Sequence, residues 1–293
     1  MAFEREVWSK EAYLSKMMYA GKVLPSLSLW KPDMNENDTW HLPTFGALTG
    51  EVNAAGSKTT VTYTDAGSAN SAIDLTTKND LYKGFTVTDA IADCSDQDTI
   101  ARYMKIANTS CFKKLERTVL LAMAIGCASG NRIELASGNQ ITLANLQTMK
   151  QNLLDNGAEE TDPMYLVVNP EYLMNLQNVI DGDSTRIFLN RNKLDQNVLA
   201  SGVVGMIEGF QVIMAHTMPT LNDAGTAYDA SGETGLLYYS SEAMAVGMTK
   251  VARIDYQRDI TDVPVSNKVL VHYYYGAAIV DDGLCGCARE YSA

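Results

Sequence analysis

The feature that most constrains the fold of this chain is one uninterrupted helical stretch, Ser95 to Gly126. Ile100, Met104, Ala107, Cys111, Leu115, Val119 and Ala122 recur at intervals of three or four and lay a single apolar stripe along it. Arg102, Lys105, Lys113, Lys114 and Arg117 fall on other faces. Ser95 with Asp98 fits a capping box in its acidic form, and Asp96 adds negative charge at the positive end of the helix dipole. Gly126 and Gly130 mark the end. At a rise of about 1.5 Å per residue the helix is roughly 45 Å long, more than a compact domain needs. The pattern predicts a strut with different layers packed along its length.

Strands are expected on both sides of the strut. Before it, Trp40 to Tyr63 and Ser71 to Asp89 carry Thr, Val, Tyr and Phe at partly alternating positions, broken by Gly50, Asn53, Gly56 and the turn formers from Asp65 to Asn70. This predicts a long hairpin-like excursion with too few large aliphatic residues near its tip to form a core of its own. Before that, Phe3 to Lys22 permits a short amphipathic helix, and Pro25 and Pro32 enforce an extended path to the polar cluster Asp33 to Asp38. The segment reads either as an arm laid on a neighbour or as a helix folded on its own core.

After the strut, Thr142 can cap a helix with Leu143, Leu146, Met149, Leu153 and Leu154 on its apolar side, closed by Gly157. Met164 to Val168 reads as a strand, and Asn169-Pro170 as a helix start that turns Tyr172, Leu173 and Leu176 inward. Val203 to Ile207 and Phe210 to Ala215 predict a tight hairpin through Glu208-Gly209. Leu236 to Tyr239, Lys250 to Asp259 and Lys268 to Val280 predict further strands, and the whole is an α+β architecture.

The chemistry-bearing residues are sparse. His41, His216 and His272 lie in separate segments without a carboxylate or second histidine at ligand spacing, and read as structural or surface residues. Five cysteines, Cys94, Cys111, Cys127, Cys285 and Cys287, read as free thiols of a reducing compartment. Cys285-Gly286-Cys287 lacks the second pair a four-ligand zinc site requires. Asp33, Asn35 and Asn37 begin like a calcium loop, but Asp38 stands where its glycine should be and Thr44 where its glutamate should be. Asp181 and Asp183 read as loop carboxylates, and Tyr273-Tyr274-Tyr275 alternates across a strand with no basic groove beside it. No phosphate-binding or nucleophile-elbow motif occurs, so no catalytic, cofactor-binding or metal-binding residue is assigned and the chain is not expected to be an enzyme. A net charge of -12 argues against tight nucleic-acid binding. The first residues lack the basic end and apolar centre of a signal peptide, and the longest apolar run, Val119 to Ile125, is too short to span a membrane as a helix.

Several stretches resemble the tailed-bacteriophage major capsid proteins of the Hong Kong 97 type. Tyr82-Lys83-Gly84-Phe85-Thr86-Val87-Thr88-Asp89, followed by Asp96-Gln97-Asp98 and the helix, is similar to the end of that family's extended loop leading into its spine helix. Asn169-Pro170-Glu171-Tyr172-Leu173 resembles the strand-to-helix junction of its axial domain, Val203 to Ile213 with Met218-Pro219 its glycine hairpin, and Ser241 to Val246 the strand that follows. The order of these short matches carries the resemblance.

It implies a phage major capsid fold: an N-terminal arm (1-38), an extended β-hairpin loop (39-89), the spine helix of a peripheral domain (90-130), an axial domain (131-249) and return strands of the peripheral domain (250-293). The implied function is a coat protein forming the hexamers and pentamers of an icosahedral head around double-stranded DNA, without sequence-specific binding, assembled in the host cytoplasm and residing in the virion. Scaffold, decoration and portal proteins are possible separate partners; the short leading segment leaves little room for a fused scaffold. Subunit-interface candidates are Trp8, Tyr13, Trp30, Trp40, Phe45, Asn53, Lys58 and Tyr63. Lys58 is the one lysine near the loop tip, and nothing in the sequence supplies a cross-linking partner for it. Two alternatives stay open: an encapsulin-like compartment shell, and a cytosolic α+β enzyme with Cys285 or Cys287 as nucleophile.

Overall fold

The long stripe does form one helix, α1 (Gln97–Gly126), 30 residues in length. The computed structural model describes residues 23-36, 38-44, 71-88, 97-135, 141-159, 161-177, 189-190, 203-215, 218-222, 227-229, 233-250, 252-261 and 265-290. Ser95 and Asp96 of the expected cap lie outside these. Met104, Ala107, Cys111, Leu115 and Val119 are buried as the spacing predicts. Phe112, Leu120, Met123 and Ala124 are buried too, because the later half of α1 is covered from a second side. Val23, Leu24 and Leu27 close over it, and the buried Glu116 Oε1 accepts the Val23 N–H at 2.8 Å.

Among the described residues, sixteen strands and two more helices surround α1. In chain order the strands are β1 (Leu29–Met34), β2 (Thr39–Thr44), β3 (Ser71–Thr76), β4 (Asn79–Thr88), β5 (Arg132–Glu134), β6 (Met164–Val168), β7 (Leu189–Asn190), β8 (Val203–Ile207), β9 (Phe210–Met214), β10 (Thr220–Leu221), β11 (Glu233–Thr234), β12 (Leu236–Ser240), β13 (Met244–Thr249), β14 (Arg253–Asp259), β15 (Ser266–Ile279) and β16 (Cys285–Arg289). The helices are α2 (Leu143–Asp155) and α3 (Pro170–Gln177).

β15 is the centre of a five-stranded sheet. β4 pairs along one side of it, while β14 and then β13 pair along the other, with β1 parallel to β13 at the edge. Val269, Val271 and Tyr273 of β15 alternate onto the α1 side and share its core. The Tyr273 hydroxyl donates to Asn108 Oδ1 at 2.8 Å, and its ring lies 5.9 Å from that of Phe112.

A seven-stranded sheet runs β5-β16-β12-β6-β9-β8-β7. One face carries α2 and α3 over Leu166, Val168, Phe210, Val212 and Tyr238; the other gives Tyr165, Val167, Ile213, Leu237 and Tyr239 to the α1 core. Covered on both faces, β6 and β12 read as continuous apolar runs instead of alternating ones. α1 thus rests on β4 and β15 along its earlier half and on β16 and β12 towards its end, the layered strut the sequence predicts.

Local signals act as their chemistry requires. Thr142 Oγ1 accepts the Asn145 N–H at the start of α2, and Gly157 follows its end at φ +98. Asn169 Oδ1 accepts the Tyr172 N–H at 2.7 Å ahead of α3. Glu208 and Gly209 take φ 49 and 88 in the two-residue turn joining β8 to β9.

Two segments join the body in ways the sequence left open. The segment read either as an arm on a neighbour or as packed on its own core follows the second reading from Val23 onward, with Leu29 to Met34 paired to β13. The apolar Val23, Leu24 and Leu27 are the reason, since α1 offers them a complete burial site. The last strand does not return with β14 and β15: β16 enters the seven-stranded sheet between β12 and β5. Gly286 makes that position possible, because a Cβ there would meet the Tyr238 ring and, at 2.6 Å, the Asn131 carbonyl oxygen.

Candidate functional site

With no cluster of reactive groups among the described residues to organise a site, the surface that distinguishes this molecule is the root of the excursion before α1. β2 and β3 form a two-stranded antiparallel ribbon from Thr39↔Thr76 to Thr44↔Ser71, and the intervening residues 45-70 lie outside the described residues. A ribbon of this size is marginal alone, so what fixes it matters. Leu42 and Leu75 bury against Met34 and Ala245 in a small separate core.

The seat is built from two glycines. Gly247 of β13 and Gly276 of β15 are register partners. A Cβ on Gly276 would stand 2.5 Å from the Thr76 carbonyl oxygen and 3.0 Å from Leu75 Cδ2; one on Gly247 would stand 2.9 Å from the same Cδ2 and would strike Met34 Sδ. The missing side chains open a notch into which Leu75 fits, letting the ribbon backbone approach the sheet. The turn at the root is closed polarly: Asp38 Oδ2 accepts the Asn35 N–H at 3.0 Å, and the Thr77 hydroxyl donates to the Asn35 carbonyl at 2.9 Å.

Of the interface candidates, Trp8, Tyr13, Phe45, Asn53, Lys58 and Tyr63 lie outside the described residues. Trp40 is half-buried on the ribbon, with the Lys31 ammonium 5.3 Å from its ring centroid. Trp30 is half-covered by the α1 core, so much of its surface is already used within the chain. The large apolar side chains that do stand in solvent are others, among them Tyr82 (68% exposed), Ile106 (62%), Met174 and Ile260. Helical phase could have found Ile106, which falls off the apolar stripe of α1, and alternation could have found Tyr82, which neighbours the buried Leu81.

The remaining chemical candidates resolve into structural roles. His272 is buried in β15, where the sheet brings Asp255 Oδ2 to 3.2 Å from Nε2 and Asp80 Oδ1 to 3.7 Å from Nδ1, a neighbourhood no sequence spacing reveals. His41 pairs with Asp74 at 2.5 Å on the exposed ribbon, and His216 lies outside the described residues. Among the described residues no group of three His, Cys, Asp or Glu side chains is placed to hold a metal ion, and no helix is long and apolar enough to cross a membrane.

Cys285 and Cys287 are free and buried against the end of α1, and burial pushes both thiols up to about 12. Burial thus disfavours the thiolate, the form in which a cysteine acts as a nucleophile. Two consequences can be measured. Alkylation by iodoacetamide at neutral pH is expected only after denaturation; rapid labelling of the native protein at Cys285 or Cys287 would contradict this burial. The folded thiols also hold their protons above the ordinary value of 9.0, so the folded state binds more protons than the unfolded one between about 9 and about 12. Stability must therefore fall as pH rises through that window, and a Cys285→Ala/Cys287→Ala variant should lose part of that slope.

No protein-family model and no curated protein matches the chain. Solved structures do. The capsid of Ralstonia phage GP4 is similar with a TM-score of 0.59 and 11% identity over 91% of this chain and 86% of that one. A structure from Mycobacterium phage Adephagia gives 0.58 and 15% over 93% and 91%, and the virus-like particle from Pyrococcus furiosus gives 0.56 and 14% over 97% and 99%. The seven- and five-stranded sheets bridged by one long helix are thus a mixed α+β fold shared with phage capsid proteins.

Proposed function

We propose that this chain is a major capsid protein of the Hong Kong 97 type, assembling as hexamers and pentamers into an icosahedral shell around double-stranded DNA in a phage head. The observation that carries the reading is the extent of the fold likeness: it covers nearly all of this chain and nearly all of its structural neighbours, so little of this sequence is left over for a separate catalytic unit. In this reading α1 is the spine helix. It and the five-stranded sheet form the peripheral domain, and the seven-stranded sheet with α2 and α3 forms the axial domain. The β2–β3 ribbon is the base of an extended loop that lies on a neighbouring copy, and residues 1-22 are the part of the arm that reaches another. Trp8, Tyr13, Trp40, Phe45, Asn53, Lys58 and Tyr63 meet sister copies, and scaffold, decoration and portal proteins act as separate partners.

One neighbour favours a second reading. The likeness to the virus-like particle from Pyrococcus furiosus supports an encapsulin-like compartment shell, built on the same subunit fold but enclosing protein cargo. Negative-stain microscopy of the purified protein tests both. Closed shells or rings of five and six subunits are expected; a particle that stays monomeric across concentration, salt and pH would end the shell reading. Nuclease-protected DNA inside native particles selects the phage head, and co-purifying protein cargo selects the compartment.

A further inference from the structure

The face of the five-stranded sheet turned away from α1 carries ionisable groups from three neighbouring strands. Val271 and Tyr273 of β15 go to the α1 core, so His272 between them is set on the opposite face. It is 8% exposed, yet its neighbours across the ladder are ionic. Register places Arg253 of β14 on one side of it and Tyr82 of β4 on the other. Asp255, two residues along β14, brings Oδ2 to 3.2 Å from Nε2. Asp80, two residues back along β4, brings Oδ1 to 3.7 Å from Nδ1. Arg253 Nε stands 3.6 Å from Asp255 Oδ1, and the Tyr274 ring lies 5.5 Å from the imidazole on β15 itself.

Both ring nitrogens thus face carboxylates, one from each flanking strand. A neutral imidazole carries a proton on only one of them and turns the lone pair of the other towards a carboxylate oxygen. Protonated at both, the ring meets opposite charge on both sides. Charge is what joins the three groups: the Nδ1 separation is beyond hydrogen-bond reach, and the enclosed Nε2 has no aligned hydrogen-bond partner among the described residues. Burial of a charged ring and the Arg253 guanidinium across the ladder both oppose this. The Arg253 side chain is 59% exposed, so water screens it, and Asp255 already answers its charge. Asp80 and Asp255 are part-exposed as well, which keeps the gain from pairing modest.

We infer that His272 is a proton-operated clamp: charged, it ties β4 and β14 to β15 through Asp80 and Asp255; neutral, it loses that double hold. An imidazole exchanges its proton between about pH 5 and 8, a range in which carboxylates are ordinarily ionised. The clamp therefore stabilises the sheet on the acid side, and its contribution is lost as pH rises through that range. Asp80 is the second residue of β4 and the β2–β3 ribbon ends at Thr76, so the clamp closes beside the root of the ribbon. It needs no second copy and stands apart from the proposed shell.

The test is urea unfolding of the full-length protein and of His272→Gln at about pH 5.5 and about pH 8, either side of the middle of the imidazole range. Both proteins are compared in the same assembly state. From the lower to the higher pH the folded-to-unfolded ratio of the parent is expected to fall by about 2- to 30-fold relative to that of the variant, the yield of two part-exposed ion pairs. His41 and His216 are present in both proteins, so their titration cancels in the comparison. Asp80→Asn changes a side chain that is 55% exposed and gives the neutral ring an amide donor, so it should fold as the parent does and lose part of the same pH dependence. Parallel pH profiles for parent and His272→Gln overturn the inference, and so does a parent that gains stability relative to the variant as pH rises. If His272→Gln does not fold, Asp80→Asn decides alone: a pH profile identical to the parent's overturns the clamp.

Discussion

If the chain assembles as proposed, a Gly276→Val substitution is expected to abolish shell formation while leaving the seven-stranded sheet folded. The new Cβ would stand 2.5 Å from the Thr76 carbonyl oxygen, a backbone atom that cannot swing aside as a side-chain tip can. Leu75 Cδ2 at 3.0 Å blocks the other escape, and the partner position across the strands is equally tight around Gly247. The sheet is the stiffer partner, because β15 is paired with β13 at Gly276 and held by β14 and β4 over the residues before it. The ribbon will yield, since it is held by a small core of Met34, Leu42, Leu75 and Ala245 with half-buried Leu29, Trp40, Ile73, Ala278 and Val280 around it. Lifting it exposes Leu42 and Leu75, at about 1.5–3 kcal/mol each if fully lost, comparable to the usual 1–3 kcal/mol of overpacking that the lifting relieves. Valine is a better strand former than glycine, so a loss cannot come from β15 propensity. Limited proteolysis should cut near residues 39-76 faster than in the parent, with circular dichroism nearly unchanged and no shells by microscopy. Gly130→Ala, at a glycine where an added methyl would meet no atom within 4 Å, is the silent control. Parent-like proteolysis together with normal shells would refute the seat.

How far the fold could be read from the sequence depended on whether each signal was local. The phase of Met104 to Val119 is a property of one segment, and so are the Thr142 and Asn169 caps and the Glu208-Gly209 turn; all of them form as their chemistry dictates. β16 was hidden for the opposite reason. Cys285 to Arg289 is short and built mostly of small residues, and its place is set by Tyr238, Asn131 and the three-residue β5, all distant in sequence. The notch at Gly247 and Gly276 was equally illegible, since each glycine is only a weak strand residue until register sets one opposite the other. For the surface, aromatic residues could be named from sequence but not their cover: Trp30 lies half under its own chain while Ile106 stands in solvent. Packing of the leading segment on its own chain from Val23 stayed one of two open readings because the sequence of its partner, the later half of α1, shows one clear apolar stripe, whereas Leu120 and Met123 beside that stripe are buried as well.

Phe112→Ala is expected to cost about 3–5 kcal/mol, the range for deleting a buried aromatic ring. Phe112 is 1% exposed and lies between α1 and the five-stranded sheet, its ring 5.9 Å from that of Tyr273 at a tilt of 55°. Tyr273 is held in turn by its bond to Asn108, one turn earlier on the helix, so a cavity at 112 loosens the contact that keeps the earlier half of the strut on its sheet. Against a typical total of roughly 5–15 kcal/mol for a domain, this is a large fraction. Tyr273→Phe removes only the hydroxyl and should cost about 1 kcal/mol. Urea unfolding of Phe112→Ala, Tyr273→Ala and the double variant measures the ring–ring coupling, expected at about 0.5–1.5 kcal/mol for a tilted aromatic pair. A cost below about 1 kcal/mol for Phe112→Ala would mean that α1 is held elsewhere. If the protein forms a shell, the loss must also depend on assembly: sister copies bind only folded subunits, so contacts in the shell stabilise the variant by mass action. Free Phe112→Ala subunits should then unfold at much lower urea than the parent, whereas assembled shells of the same variant should lag far behind them. Equal midpoints for free and assembled protein would show that the contacts between copies add no stability, and a shell held together by such contacts could not be what this fold is for.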